Sequence, residues 1–180
     1  MGVFSYVKLS LCCVLFFGIV LSHADTTPQN DTVSTICPQT RNPSLCRQLL
    51  KPVSNLNATN MANYMIDLAH TNAVECRRRV QRLKAEETTN LELKKRYSEC
   101  WQCIDSSVSA IESGKQYMEY KNYIALTIQI IGAGSHTDQC LDTFNQPPPE
   151  PSSLPKNVKN LGDICYITSY VTHILAGDDY

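Results

Sequence analysis

The chain has 180 residues, nine cysteines and a formal charge of -1. Its length suits a single domain, and its near-neutral charge argues against nucleic acid as a partner. The basic triplet Arg77-Arg78-Arg79 stands alone and is typical of the solvated face of a helix.

The first 24 residues have the pattern of a secretory signal peptide. Lys8 precedes an apolar run over residues 9–21, and Ser22-His23-Ala24 offers small residues where a signal peptidase cuts. The run is too short for a membrane span, and no later segment is long and apolar enough to cross a bilayer. We therefore predict a secreted chain of residues 25–180, which does not associate with membranes and whose formal charge becomes -2 because Lys8 is lost.

Seven of the cysteines lie beyond the predicted signal peptide. In a secreted chain this number predicts disulfides and leaves at least one thiol unpaired. Two sequons, Asn30-Asp31-Thr32 and Asn57-Ala58-Thr59, make Asn30 and Asn57 candidate glycosylation sites. The seven cysteines are Cys37, Cys46, Cys76, Cys100, Cys103, Cys140 and Cys165.

Residues 25–57 predict a loose extension followed by a small helical hairpin. Asn42-Pro43 is a turn and helix-start signal, and two short helices bent there would bring Cys37 and Cys46 together. A hairpin of this size cannot bury enough apolar area alone. We therefore expect it to dock on a neighbouring part of the chain or on a partner.

Apolar residues at alternating spacings of four and three predict four amphipathic helices within residues 58–180. The predicted spans are 59–83, 91–118, 122–141 and 157–176, with a proline-rich link over 146–155. Short links between such helices indicate an all-α, up-down-up-down four-helix bundle. Gly132 and Gly134 weaken the third helix, so we expect a local distortion there.

A rise of about 1.5 Å per residue brings five of the cysteines near one level of this bundle, so spacing alone leaves several pairings open. An antiparallel arrangement of the second and third helices would allow a Cys100–Cys140 bridge. The five cysteines at this level are Cys76, Cys100, Cys103, Cys140 and Cys165.

Residues 36–46, Ile-Cys-Pro-Gln-Thr-Arg-Asn-Pro-Ser-Leu-Cys, closely resemble the opening of the plant invertase and pectin methylesterase inhibitors. Residues 96–100, 138–144 and 161–165 resemble the later cysteine blocks of that family, in the same order. The resemblance implies a hairpin on a four-helix bundle, with bridges Cys37–Cys46 and Cys100–Cys140. It also implies a non-catalytic protein of the plant cell wall, or apoplast, that blocks a carbohydrate-active enzyme.

This chain departs from the family pattern at Cys76 and Cys103. We expect a third bridge between these two, which leaves Cys165 as the free thiol; the rival pairing is Cys76–Cys165, with Cys103 free. Several of the positions expected to face the enzyme are uncharged, which would alter the affinity for the target. The candidate partner-binding residues are Gln102, Ser106, Ser109, His136, Asp138 and Asp142.

Two target enzymes and one different class of function follow from this reading. Invertase inhibitors often carry Pro-Lys-Phe ahead of the third-helix cysteine, where this chain has Tyr123-Ile124-Ala125. Its absence favours a one-to-one complex with pectin methylesterase, in which the second and third helices cover the substrate cleft. The alternatives are an inhibitor of acid invertase, and a secreted structural or ligand-carrying bundle without an enzyme target.

No catalytic or cofactor-binding pattern emerges from the chain. Cys100-Trp101-Gln102-Cys103 has the spacing of a redox pair, but it lies in mid-helix and outside any βαβ pattern. His70, His136 and His173 are scattered, and the adjacent acids Glu86-Glu87 and Asp178-Asp179 lack a cleft between them. We therefore predict that the chain is not an enzyme and has no metal or other cofactor.

Overall fold

The computed structural model describes residues 29–147 and 149–177, so the predicted signal peptide lies outside the described residues. The regular structure within these ranges is helical, with no strand, which confirms the all-α class. The helices are α1 (Gln29–Ile36), α2 (Pro43–Leu50), α3 (Ala58–Glu86), α4 (Leu91–Glu119), α5 (Tyr123–Asp142) and α6 (Leu154–Ala176), with short 3-10 turns at Cys37–Gln39 and Lys51–Val53.

Asparagine side chains fix where four of these helices begin. Asn42, Asn57, Asn90 and Asn122 precede α2, α3, α4 and α5, and each accepts the backbone N–H three residues ahead at 2.9–3.2 Å. This N-cap satisfies a donor that has no partner inside the helix, and it contributes about 1 kcal/mol.

Two local predictions are wrong. The last helix begins at Leu154 rather than at residue 157, because a proline such as Pro155 is tolerated in a first turn, where its missing N–H is not needed. The two glycines do not interrupt α5. A Cβ on Gly134 would lie 3.1 Å from the ring of Tyr166, so this glycine makes room for α6 instead of distorting its own helix.

The four long helices form the predicted antiparallel bundle. Each packs against the next along the chain, and α6 closes the ring against α3. Ala62, Ala69 and Ala73 are fully buried in α3, and their small side chains allow its neighbours to approach closely. Larger side chains that are completely buried in the same core include Met61, Met65, Ile104, Ile111, Leu126, Ile130, Leu161 and Ile167.

The N-terminal hairpin docks on the edge of the bundle formed by α5 and α6. The Arg41 guanidinium donates to the Asp138 carboxylate of α5 at 2.9 and 3.1 Å, and its Cζ lies 3.7 Å from the centroid of the Tyr166 ring of α6. The Tyr170 hydroxyl donates to the carbonyl of Gln39 at 3.1 Å. Cation–π and ion-pair contacts thus hold a hairpin too small to stand alone.

The proline-rich link is fastened to the beginning of α4. Buried Arg96 donates to the carbonyl of Gln146 at 2.6 Å, and the Tyr97 hydroxyl donates to the Glu150 carboxylate at 2.8 Å. Burial and the bond to Glu150 raise the pKa of Tyr97, so its hydroxyl stays protonated and remains a donor. The link is therefore fixed where α5 passes into α6.

Candidate partner-binding face

Two disulfides occur in the described part of the chain. Cys37–Cys46 closes the hairpin, with a Cα–Cα distance of 5.4 Å, and Cys100–Cys140 joins α4 to α5 at 4.2 Å. The register of α4 and α5 follows from the second bond and from the Ser107 hydroxyl, which donates to the carbonyl of Ala133 at 3.0 Å. In this register Ser106 lies level with Gly134, and Ser109 lies level with Ile131.

The structure does not contain the Cys76–Cys103 bridge that we expected, and both residues are free thiols. The reason is the flank of α4 on which Cys103 lies. Cys103 precedes Ser107 by one helical turn and shares its side of α4, which faces α5. The opposite flank faces α3, where Asp105 pairs with Arg77. Cys103 is therefore directed away from the helix that carries Cys76.

The rival bridge, Cys76–Cys165, is also absent. The Thr168 hydroxyl donates to the carbonyl of Met65 at 3.4 Å, which fixes the register of α6 against α3. In this register Cys165 does not lie level with Cys76, although the two thiols are near enough for Cys76 to contribute to the raised pKa of Cys165.

The three free thiols differ in accessibility. Cys165 and Cys76 are buried, and desolvation raises the pKa of Cys165 to about 12 and that of Cys76 to about 11. Cys103 is half-buried, and desolvation raises its pKa as well. Cys103 is thus the most accessible of the three.

The structure brings five of the six candidate partner-binding residues to the outer side of α4 and α5. Gln102, Ser106 and Ser109 are exposed on α4. On α5, Asp142 is exposed and His136 is half-buried, with its Nδ1 3.5 Å from Gln139 Oε1. We call this surface, with the outer residues of α5 between 124 and 142, the α4–α5 face.

Asp138, the sixth candidate, belongs to a different environment. Its carboxylate accepts from Arg41 of the hairpin and, at 2.9 Å, from the Tyr166 hydroxyl of α6. Burial and the bond to Asp138 raise the pKa of Tyr166, so the hydroxyl remains a donor. Asp138 therefore anchors the hairpin on the α6 side of α5, one helical turn before Asp142.

Sequence reasoning missed the most apolar part of this face. Ile124, Ile128 and Ile131 of α5 are 62%, 61% and 44% exposed, and Tyr120 at the end of α4 is 78% exposed. The isoleucines are spaced by four and three residues, so they form one stripe. The buried positions Leu126, Ile130 and Ala133 of the same helix lie on another side, and a helical wheel would have separated the two sets. Contiguous exposed apolar surface marks sites of association.

The opposite flank of α4 has a different character. Two ion pairs connect it to α3, Asp67–Lys115 at 2.7 Å and Arg77–Asp105 at 2.8 Å, and His70 Nε2 lies 3.3 Å from Glu112 Oε1. These charges are already paired across the α3–α4 groove. This flank is consequently committed to contacts within the bundle.

Of the two predicted glycosylation sites, Asn57 lies among the side chains that the structure describes and Asn30 does not. Asn57 is exposed at the beginning of α3, where its Oδ1 accepts the Asn60 N–H at 2.9 Å. A glycan attached through Nδ2 would leave this cap in place. Asn30 lies in α1, and its side chain is outside the described residues.

Neither a metal site nor a membrane span is found in the residues that the structure covers. Among these residues, no three His, Cys, Asp or Glu side chains are grouped as metal ligands. Likewise, none of the helices in the described ranges has the length and apolar character needed to cross a bilayer.

Similarity to known proteins covers most of the chain. The family description "Plant invertase/pectin methylesterase inhibitor" matches residues 31–170. A pectinesterase inhibitor of Actinidia deliciosa is 28% identical over 182 residues, spanning 97% of this chain and 98% of the relative. Pectinesterase inhibitor 2 of Arabidopsis thaliana is also 28% identical, over 146 residues, and spans 79% of this chain and 83% of the relative.

Solved structures support the same fold. The crystal structure of mutant form A of a pectin methylesterase inhibitor from Arabidopsis superposes with a TM-score of 0.73 at 21% identity, covering 79% of this chain and 95% of that one. A second pectin methylesterase inhibitor structure from Arabidopsis thaliana gives a TM-score of 0.64 at 22% identity, with 81% and 96% covered. The chain belongs to the plant invertase/pectin methylesterase inhibitor family, whose members inhibit enzymes and are not themselves enzymes.

Proposed function

We propose that this chain is a secreted inhibitor of pectin methylesterase in the plant cell wall. The observation that carries the proposal is its similarity, along almost its whole length, to a pectinesterase inhibitor of Actinidia deliciosa. The predicted signal peptide at residues 1–24 supports export, and the sequon at exposed Asn57 supports glycosylation on the same route.

The α4–α5 face is the surface that binds the enzyme in this proposal. Its serines and glutamine carry no charge that would have to be desolvated, and the isoleucine stripe of α5 provides apolar area to bury. A tight inhibitor usually buries about 1,600 Å² of total surface, a size that suits two adjacent helices. The inhibitor forms a one-to-one complex and occupies the cleft that the pectin chain would enter.

The Cys100–Cys140 bond and the buried Ser107–Ala133 hydrogen bond hold the two helices of this face at a fixed register. A rigid surface loses little conformational entropy when it binds. Inhibition in this proposal follows from occupation of space, and no group of the chain makes or breaks a bond.

The test is an inhibition assay on two purified enzymes. The mature chain, residues 25–180, is titrated against a plant pectin methylesterase, with methanol release as the readout, and against an acid invertase, with glucose release as the readout. We expect pectin methylesterase activity to fall to background near one equivalent while invertase activity is unchanged. Inhibition of invertase alone would identify acid invertase as the target instead. Inhibition of neither enzyme would overturn the proposal and favour a structural or carrier protein.

A further inference from the structure

A cleft of about 340 Å³ opens between α3 and α4, outside the α4–α5 face. Its walls come from Gln81, Lys84 and Ala85 of α3 and from Lys94 and Trp101 of α4. The volume lies at the lower end of the range of small-ligand sites, about 300–1,000 Å³. The combination of one large aromatic ring with amide and ammonium groups is not explained by binding an enzyme at the α4–α5 face.

Trp101 is the only tryptophan of the chain, and it is half-buried beside this cleft. Its indole N–H is enclosed but has no hydrogen-bond acceptor among the described residues. An enclosed donor without an acceptor is unfavourable. The half-exposed part of the ring, rather than the enclosed N–H, offers the cleft an apolar wall.

The two lysines of the cleft supply positive charge. No carboxylate of the described ranges forms an ion pair with Lys84 or Lys94. The nearby acid is Glu87, whose carboxylate accepts the backbone N–H groups of Thr89 and Asn90 at 2.9 and 2.8 Å. These bonds lower the pKa of Glu87, and Lys94 lowers it further, so the carboxylate is ionised and held by the turn. Lys94 therefore lies near a carboxylate that is already engaged by the turn, and Lys84 has no ion pair among the described residues.

We propose that this cleft binds a uronate unit of de-esterified pectin. The sugar ring lies against the Trp101 indole, and its carboxylate lies near the ammonium groups of Lys84 and Lys94. The choice of polymer rests on the proposed function, because a pectin methylesterase converts neutral methyl esters into carboxylates. The esterified polymer lacks the charge that the lysines recognise, so the site distinguishes the product of the enzyme from its substrate.

The position of the cleft allows both partners to bind together. Trp101 precedes Asp105 by one helical turn and shares with it the flank of α4 that faces α3, where Arg77 pairs with Asp105. The α4–α5 face occupies other sides of the bundle. Attachment to pectate would thus hold the inhibitor in the wall without covering the surface that meets the enzyme.

Tryptophan fluorescence tests the proposal directly, because Trp101 is the only reporter in the chain. The mature chain is titrated with trigalacturonate, with its fully methyl-esterified form, and with citrate at the same ionic strength; isothermal calorimetry repeats each titration. We expect saturable binding of trigalacturonate and at least about tenfold weaker binding of the other two, with the affinity falling as salt is added. Equal binding of the esterified trimer or of citrate, or no binding by either method, would overturn the proposal.

Two double variants test whether trigalacturonate binding depends on the lysines of the cleft or only on the total positive charge of the chain. Lys84→Met with Lys94→Met should weaken trigalacturonate binding at least about tenfold. The matched control, Lys51→Met with Lys156→Met, makes the same change of charge at exposed positions of the hairpin and of α6 and should bind like the parent chain. Equal loss in both variants would contradict a specific site. No enzyme is present in these titrations, so their failure is distinguishable from failure of the inhibition assay.

Discussion

The two flanks of α4 are built by different chemistry. Towards α3, two ion pairs, Arg77–Asp105 and Asp67–Lys115, and the His70–Glu112 hydrogen bond join side chains that remain partly exposed. Towards α5, the Cys100–Cys140 bond and the buried Ser107–Ala133 hydrogen bond join the helices. The adjoining outer surface carries mainly serines and isoleucines, together with Asp142 and the exposed Lys95–Glu99 pair. One helix thus presents a flank joined by charged contacts and a flank with fewer charges.

This difference indicates which surface is free to meet a partner. An exposed ion pair stabilises a fold by only about 0–1 kcal/mol, but covering it with another protein requires the desolvation of both charges. A surface of hydroxyls, amides and aliphatic side chains is easier to cover, and charged residues are depleted at the centres of interfaces. The α4–α5 face is therefore the better candidate for enzyme binding.

Removal of the α4–α5 disulfide should have the largest effect. The bond spans 40 residues, and the chain-entropy relation gives about 4 kcal/mol for a loop of this length. Cys100→Ser with Cys140→Ser should lower the free energy of unfolding by about that amount in urea titration. The matched variant, Cys37→Ser with Cys46→Ser, opens a loop of nine residues and should lose less, about 3 kcal/mol. A greater loss of unfolding free energy in the hairpin variant than in the α4–α5 variant would contradict this prediction.

Thiol labelling should distinguish Cys103 from the two buried cysteines. At pH 8, we expect Cys103 to react with Ellman's reagent at least about 100-fold faster than Cys76 or Cys165, because burial excludes the reagent and the raised pKa values keep both buried thiols protonated. In the mature chain, residues 25–180, three thiols should react after unfolding in guanidinium. Rapid reaction of all three in the folded chain would contradict the packing of α3 against α6.

The raised pKa values of Cys76 and Cys165 predict how the free energy of unfolding changes with pH. The folded chain holds the protons of Cys76 and Cys165 more tightly than the unfolded chain, in which a thiol titrates at about 8.5. Between pH 9 and about 12 the native state therefore binds more protons than the unfolded state. The free energy of unfolding should fall over this interval, because unfolding then releases protons to an alkaline solution.

The helices could be predicted from the sequence, but the side-chain contacts between different helices could not. Repeating apolar residues predicted the bundle, since that pattern depends on neighbours within one helix. The flank on which Cys103 lies depends on the register of α4 against both neighbours, so the Cys76–Cys103 pairing could not be excluded beforehand. The docking of Arg41 on Asp138 and Tyr166 joins three distant segments, which no local pattern reveals.

A charge placed within the isoleucine stripe should weaken inhibition. Ile128 is 61% exposed, so Ile128→Arg should leave the fold unchanged, yet it would force a guanidinium into the centre of the proposed interface. We expect an inhibition constant for pectin methylesterase about 30-fold higher, equivalent to about 2 kcal/mol for a central interface residue. Thr71→Arg, which adds the same charge at an exposed position of α3, serves as the control. Equal loss in both variants would show that general charge, and not this face, governs inhibition.

Removal of an ion pair on the other flank should have the smallest effect. Arg77→Met breaks the 2.8 Å contact with Asp105, a pair whose side chains are 35% and 40% exposed. We expect the free energy of unfolding to change by no more than about 1 kcal/mol and the inhibition constant to change less than about twofold. A loss of inhibition comparable to that of Ile128→Arg would assign enzyme binding to the α3–α4 flank instead.

Photo-cross-linking in the assembled complex can locate the surface of the inhibitor that contacts the enzyme. Benzoylphenylalanine is introduced at exposed Ser106 on the α4–α5 face, or at exposed Thr71 on α3, and each variant is irradiated with pectin methylesterase and analysed by mass spectrometry. The account predicts a covalent product of one inhibitor and one enzyme from position 106, with the cross-link on the rim of the substrate cleft, and none from position 71. A product from position 71 with none from position 106 would contradict it.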